Sequence, residues 1–239
     1  MGITDKSDAG VFLLRFGDKA VLIDAGSGKD HAQLKRNIDQ LLGSDARLEY
    51  LLLTHCHFDH SGGANLVRAD YGCRIVAHEL DSLYIESGDD KVTGAPWYGS
   101  HAEPCNVDLK WSGPEYSLTV GAGKIDAIHC PGHSPGSVAF VTRLDGELIL
   151  FGQDIHGPLH KDWLSDEEHY LDSLTRLLEL DADLLVESHF GVIEPREEVR
   201  AFIEYWRSPI GVSHYAVLYA PDDWDERRKK SDPGKQEAE

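Results

Sequence analysis

The 239-residue sequence has no run of about 20 apolar residues, so no segment reads as a membrane-spanning helix. Its opening, MGITDKSDAG, has neither a basic start nor an apolar stretch, and no secretory signal is expected. Cysteine is scarce. Cys56, Cys73, Cys105 and Cys130 show neither zinc-finger nor redox spacing, a pattern that suits reduced thiols in a cytoplasmic protein. Positive charge is also short: 23 Lys and Arg stand against 42 Asp and Glu, a formal net charge of -19. A polyphosphate ligand would meet repulsion unless a basic patch or a metal offset it, so nucleic acid is a poor partner. Surface acidity alone selects no substrate. The apolar fraction, 41%, is enough for a sizeable core, and the length fits one large domain or two small ones.

Short apolar runs organise the chain. VFLLRFG and AVLIDAG flank GDK, which suits a hairpin turn. Residues 31–42, HAQLKRNIDQLL, have helical spacing with Gly43 as a stop. LEYLLLTH reads as a buried strand, GGANLVRADYG as a helix ending at Gly72, and CRIVAH as another strand. From about Leu80 to Pro114 the pattern is irregular. Strands return with YSLTV, KIDAIHC, SVAFVTR and ELILFGQD, followed by a helix at 166–180, the strand DLLVESH and a helix from Pro195 to about Trp206. Alternating helices and strands with hairpins predict two mixed sheets packed face to face with helices outside. Residues 1–220 are expected to form a single domain. Residues 221–239 are charged and nearly free of apolar side chains, the composition of a disordered tail.

Within LTHCHFDHSGG, His55, His57, Asp59 and His60 crowd the turn after a buried strand. In a locally extended chain His55 and His57 project to the same side, and SGG lets the chain turn into a helix. Imidazole and carboxylate are good ligands for divalent transition metals, and four exceed the three protein ligands an open catalytic zinc usually takes. Two metals are the natural reading. Three further candidates follow other apolar runs: His133 in CPGHSPGS, Asp154 in LFGQD and His189 in VESHFG. A lone histidine after a strand is more often a hydrogen-bonded surface residue, so His133 and His189 gain weight only from the cluster.

These motifs resemble the metallo-beta-lactamase superfamily of metallohydrolases, from about Val11 to Gly191. The most specific is H-x-H-x-D-H, here HCHFDH, supported in order by IDAG, PGHSPGS, GQD and SHFG. The resemblance implies a four-layer αββα sandwich with a dinuclear site at one edge of the sheets. It assigns His55, His57 and His133 to a first metal and Asp59, His60 and His189 to a second, with Asp154 bridging. It makes Asp24 the residue that holds the ligand loop, against the alternative of a helix-cap or turn aspartate. Asp59 would also orient the nucleophile, a hydroxide shared by the metals. Two divalent ions are implied, zinc foremost, with iron or manganese as alternatives.

Trp97, Tyr98 and Trp111 suit an apolar wall over the site or core packing. His156 and His160 suit proton donation, substrate contact or a place at the rim. His129 and Cys130 read as strand-end packing, and alternation points Cys56 away from the metals. The expected function is hydrolysis of a small ester, thioester or lactone, since glyoxalase II-like and lactonase-like members carry all seven ligand positions. A bridging Asp154 separates the chain from true zinc beta-lactamases. The alternatives are a phosphodiesterase or nuclease, which the acidic balance disfavours, an iron-dependent oxidoreductase of the sulfur dioxygenase type, and a non-catalytic scaffold.

Overall fold

The structure is a computed structural model that describes residues 4–216, with side chains described as far as residue 212. The domain boundary expected at residue 220 and the charged tail beyond it lie outside the described residues.

Five strands form the first sheet: β1 (Phe12–Phe16), β2 (Lys19–Ile23), β3 (Arg47–Leu52), β4 (Arg74–His78) and β5 (Leu109–Trp111), side by side in that order. β1 and β2 make an antiparallel hairpin, and β2 through β5 run parallel. The second sheet contains β6 (Glu115–Val120), β7 (Gly123–His129), β8 (Val138–Leu144), β9 (Glu147–Phe151), β10 (Leu184–Glu187) and β11 (Gly191–Ile193), ordered β11-β10-β9-β8-β7-β6. Only β9 and β10 pair in parallel in this sheet.

Side-chain alternation divides the core into three layers. Along β2, Ala20 and Leu22 face the helices, whereas Val21 and Ile23 face the other sheet. The first outer layer packs α1 (His31–Leu42) and α3 (Ala64–Tyr71) on the first sheet; α1 buries Leu34, Ile38 and Leu42, one stripe at four-residue spacing. The far layer packs α6 (Glu167–Glu179) and α7 (Arg196–Arg207) on the second sheet through residues such as Tyr170, Leu174, Val199 and Ile203. Asp30 and Asp166 cap α1 and α6 by accepting from the N–H groups of Gln33 and His169. The result is the expected αββα sandwich.

One irregularity interrupts β3. Ala20 pairs with Leu48 and Val21 with Tyr50, so Glu49 is an extra residue in the strand. Leu48 and Leu51, three apart, therefore face the same layer, which strict alternation forbids. Beyond the bulge Tyr50, Leu51 and Leu52 pair regularly with Val21, Leu22 and Ile23, and that register delivers the following loop to the sheet edge.

The structure also corrects the local reading. GGANLVRADYG is the expected helix, α3, closed at Gly72, but a short helix that the sequence did not show, α2 (Phe58–Ser61), precedes it, with Gly62 and Gly63 between the two. A Cβ on Gly63 would lie 2.3 Å from the carbonyl oxygen of Ala25, so only glycine lets the two segments pack this closely. The stretch read as irregular from Leu80 onward contains α4 (Glu79–Ser87), α5 (Asp90–Thr93) and a 3-10 turn at Ala95–Tyr98. Left-handed glycines at 88, 94 and 99 end each piece within three turns, too short for a periodic pattern to stand out. Strand β11 and helix α8 (Pro209–Ala216) were not anticipated.

Candidate metal centre

β2, β3, β7, β9 and β10 all end at the same edge of the sandwich. Asp24 follows β2, and His55, His57, Asp59 and His60 follow β3. His133, Asp154 and His189 follow β7, β9 and β10. Parallel strands, and antiparallel strands two apart, deliver their carboxyl ends together. Local hydrogen bonds finish the loops: His60 and Ser61 N–H close on the His57 carbonyl, and Ala25 N–H closes on the His60 carbonyl.

Two sets of ligand atoms meet there, those of each set within 4.8 Å of one another: His55, His57, His133 and Asp154; and Asp59, His60, Asp154 and His189. Asp154 belongs to both. Its Oδ2 lies 3.4 Å from His133 Nε2 and 4.0 Å from His55 Nε2, while its Oδ1 lies 3.1 Å from His60 Nε2 and 3.4 Å from His189 Nε2. The far sides of the imidazoles are held. His60 Nδ1 donates to Asp24 Oδ2 at 2.8 Å, and His133 Nδ1 donates to the Pro158 carbonyl at 2.8 Å. His55 Nδ1 lies 3.0 Å from Thr54 Oγ1. Asp24 is wholly buried, with a φ of 61°, and accepts from both the N–H and the hydroxyl of Thr54.

The donor set fits divalent ions. Nε2 of His57, His60 and His133 and Oδ1 of Asp154 are buried without a partner in hydrogen-bond geometry, an arrangement that costs stability unless a ligand satisfies it. Burial, reinforced by neighbouring imidazoles, pushes His55 and His57 well below the usual histidine range, so both rings are neutral, with His55 Nε2 3.0 Å from His57 Nδ1 and His57 Nε2 unpartnered. Burial acts the same way on His60 and His189, but the carboxylates of Asp154 and Asp59 overcome it. His60 is raised well above its ordinary value and His189 to about 10. Burial would raise Asp59 and Asp154; His60 and His189 more than offset it and hold both carboxyls below the usual range. The carboxylates thus demand positive charge. A divalent cation held by these residues would supply it in place of the imidazole protons.

A cavity of about 140 Å³ opens over Asp59, Asp154 and His189. Trp97, Tyr98 and His156 line it, as does Trp163, which the sequence did not single out. Trp97 is 53% exposed and packs 4.7 Å from Trp163 and 5.2 Å from His160. Lys29 Nζ donates to the Tyr98 carbonyl at 2.7 Å and Phe58 flanks the Tyr98 ring, so the 95–98 turn is tied to the ligand edge. Burial and the nearby carboxylates of Asp59 and Asp154 push the Tyr98 phenol well up, so it stays a donor. Trp111 lies elsewhere, in the core between the sheets, stacked on Tyr116. His129 stacks on His78, and Cys130 packs behind the second sheet. The four cysteines are free and buried.

Two further buried carboxylates, which the sequence did not single out, bond to segments that carry candidate ligands. Glu187, fully buried, accepts from His156 Nδ1 at 2.6 Å and from the N–H groups of His189 and Phe190. Its signal was available: a glutamate ending the apolar strand DLLVE just before a candidate ligand. Asp81, on α4, has partners only in distant loops, and no local pattern announces it.

Residues 9–189 match the metallo-beta-lactamase superfamily, and the chain belongs to that family. It is accordingly an enzyme of the metal-dependent hydrolase class. Among its relatives is the acyl-coenzyme A thioesterase MBLAC2 of Gallus gallus, 27% identical over 232 residues, covering 86% of this chain and 80% of the relative. The hydroxyacylglutathione hydrolase GloC of Haemophilus influenzae is 27% identical over 187 residues, covering 72% of this chain and 80% of the relative. The metallo-beta-lactamase GOB-18 from Elizabethkingia meningoseptica superposes with a TM-score of 0.69 at 18% identity, over 87% of this chain and 85% of that one, a likeness of fold. No helix among the described residues is long and apolar enough to cross a membrane.

Proposed function

We propose that the protein hydrolyses a small carboxylic ester, thioester or lactone at a centre of two divalent ions, zinc foremost, with iron or manganese as alternatives. The observation that carries this reading is the division of Asp154, one oxygen toward His55 and His133 and the other toward His60 and His189. His55, His57 and His133 would hold one ion and Asp59, His60 and His189 the other, with Asp154 between them and Asp24 setting His60. Thioesters stand first among the substrates, because two relatives are named for cleaving them. In the same reading residues 1–220 are one catalytic domain in a cytoplasmic protein whose partner is a small molecule.

Divalent ions bound there would supply Lewis acidity and a water whose pKa falls toward ~7. The residues do the rest. Asp59 faces both His60 and His189 and can orient the attacking water. The Tyr98 hydroxyl donates to the Asp59 carboxylate, and a substrate oxygen could take that hydrogen bond in its place. His156, its Nδ1 fixed by buried Glu187, turns its other nitrogen to substrate. Trp97 and Trp163 shield the reacting group from water.

Elemental analysis after gentle purification, paired with a panel of thioesters, esters, lactones, phosphodiesters and beta-lactams, tests the proposal. Two equivalents of metal and turnover of a carbonyl substrate are expected. His133→Ala should deplete mainly one ion and His189→Ala mainly the other. Activity on phosphodiesters alone would transfer the reading to a phosphodiesterase. Activity that requires ferrous iron and consumes oxygen would end the hydrolase proposal.

A further inference from the structure

The two candidate ligand groups are held together differently. His60 is fixed by Asp24, within the first sheet's own edge. Both groups join loops from the two sheets; the first joins the 55–57 loop after β3 to the 130–137 loop after β7. Between them lies one wholly buried carboxylate, Asp81, in the first turn of α4. Its Oδ2 accepts from the backbone N–H of Cys56 at 2.8 Å and from Ser134 Oγ at 2.6 Å, and its Oδ1 accepts from the backbone N–H of Gly136 at 2.6 Å. Cys56 stands between His55 and His57, and Ser134 follows His133. All three histidines of the first group therefore lie beside a residue bonded to Asp81.

The surroundings are shaped to this carboxylate. A Cβ at Gly136 would sit 2.5 Å from the Asp81 nitrogen and 2.7 Å from its Cβ, so the loop reaches Asp81 only because residue 136 has none. Within the loop, Ser137 Oγ lies 2.8 Å from Ser134 Oγ and accepts from Ser134 N–H, and Cys130 N–H donates to the Ser137 carbonyl. Fixing Ser134 and Gly136 thus fixes the whole turn that presents His133. Carboxylates are rarely buried without a charged partner, and Asp81 has three neutral donors instead.

We propose that Asp81 is a positioning residue for the first metal: it clasps the two ligand loops and sets the spacing of His55 and His57 against His133, while contacting no ligand side chain. This rests on the two-ion reading above. Asparagine at position 81 keeps the shape but must turn an NH2 toward one of the three donors.

The test is equilibrium Zn²⁺ binding to the full-length protein by competition with a chromophoric chelator, in wild type, Asp81→Asn, Ser134→Ala and Asp81→Asn/His133→Ala. Wild type should bind two ions. Asp81→Asn should weaken one step by about 10–100-fold and leave the other unchanged. The double variant should lose no more than His133→Ala alone, since both changes strike the same step. A folded Asp81→Asn protein that binds both ions as wild type does, or weakens both equally, overturns the proposal. If Asp81→Asn fails to fold, Ser134→Ala decides: a severalfold loss confined to one step supports the clasp, and unchanged binding overturns it. Wild type binding a single ion would instead end the two-ion reading, a result distinct from either outcome for Asp81.

Discussion

The ligand cluster and the aromatic wall share one edge of the sandwich, yet they are built on opposite terms. Each candidate ligand lies in the segment that leaves a strand, Asp59 and His60 on the one-turn helix α2, and is almost entirely buried apart from His189; His60 and His133 have their second nitrogen pinned by a distinct acceptor. The wall comes from two short 3-10 turns, Ala95–Tyr98 and Lys161–Trp163, and its Trp97 stands half in solvent. Sheet ends give the precision that holding an ion demands, whereas short turns permit changes of shape without disturbing the core. In the proposed function the chemistry rests on the strand ends and the choice of substrate on the turns.

The sharpest way to break that contrast is Asp154→Ala. Removing the carboxylate shared by both groups should empty both of metal and lower kcat/KM by at least about 10²-fold. A preserved rate would mean that one group works alone. Asp24→Ala is the next largest. It frees His60 and leaves the Thr54 N–H unsatisfied, so metal affinity in the His60 and His189 group should fall about 10–100-fold, with about 1–3 kcal/mol lost from denaturant stability. Equal loss in both groups would deny Asp24 its local role.

On the other side of the comparison, Trp97→Ala should raise KM about 2–10-fold or reorder substrate preference. Metal content and melting temperature should stay unchanged. If the protein unfolds instead, Trp97 belongs to the core and the wall does not exist as a separate region. The smallest effect lies away from both. Burial, with His129 stacked 3.9 Å away, holds His78 down to about 4. The unfolded chain takes up that proton near ~6.5 while the folded chain resists it, so His78 contributes stability above that pH and loses it as pH falls toward 4. Denaturant melts at pH 7 and 4.5 should show a smaller acid loss in His78→Gln than in wild type. An equal loss would place the acid sensitivity in other groups.

How legible each part was follows from where its partners lie. HCHFDH announces itself because four ligand-type residues share one turn, and His133, Asp154 and His189 each follow an apolar run. The sandwich was legible for the same reason, in strands and helices long enough to repeat. Helix α4 was not, because its buried face carries Asp81 and Ser82 beside Ile85 while Leu80 and Leu83 are exposed, which inverts the apolar pattern. Asp81 was hidden further: its meaning depends on Ser134 and Gly136, more than fifty residues away, and only the packing of two sheets brings them together. Trp163 gave no signal, since a tryptophan in a loop reads equally well as core.

The extra residue in β3 makes the strand tolerant on one side and intolerant on the other. Glu49 offers its side chain to Lys19 and Arg47 at the margin of the sheet, so most replacements there would pass with little effect. Deleting it would only close the bulge: Leu48, Tyr50, Leu51 and Leu52 would alternate strictly against Ala20, Val21, Leu22 and Ile23, each on the face it holds now. A residue inserted after Tyr50 would instead exchange inside for outside at Leu51 and Leu52 and deliver the following loop half a step out of phase. The edge is tuned by the last three residues of the strand, and the stretch before them has slack to spare.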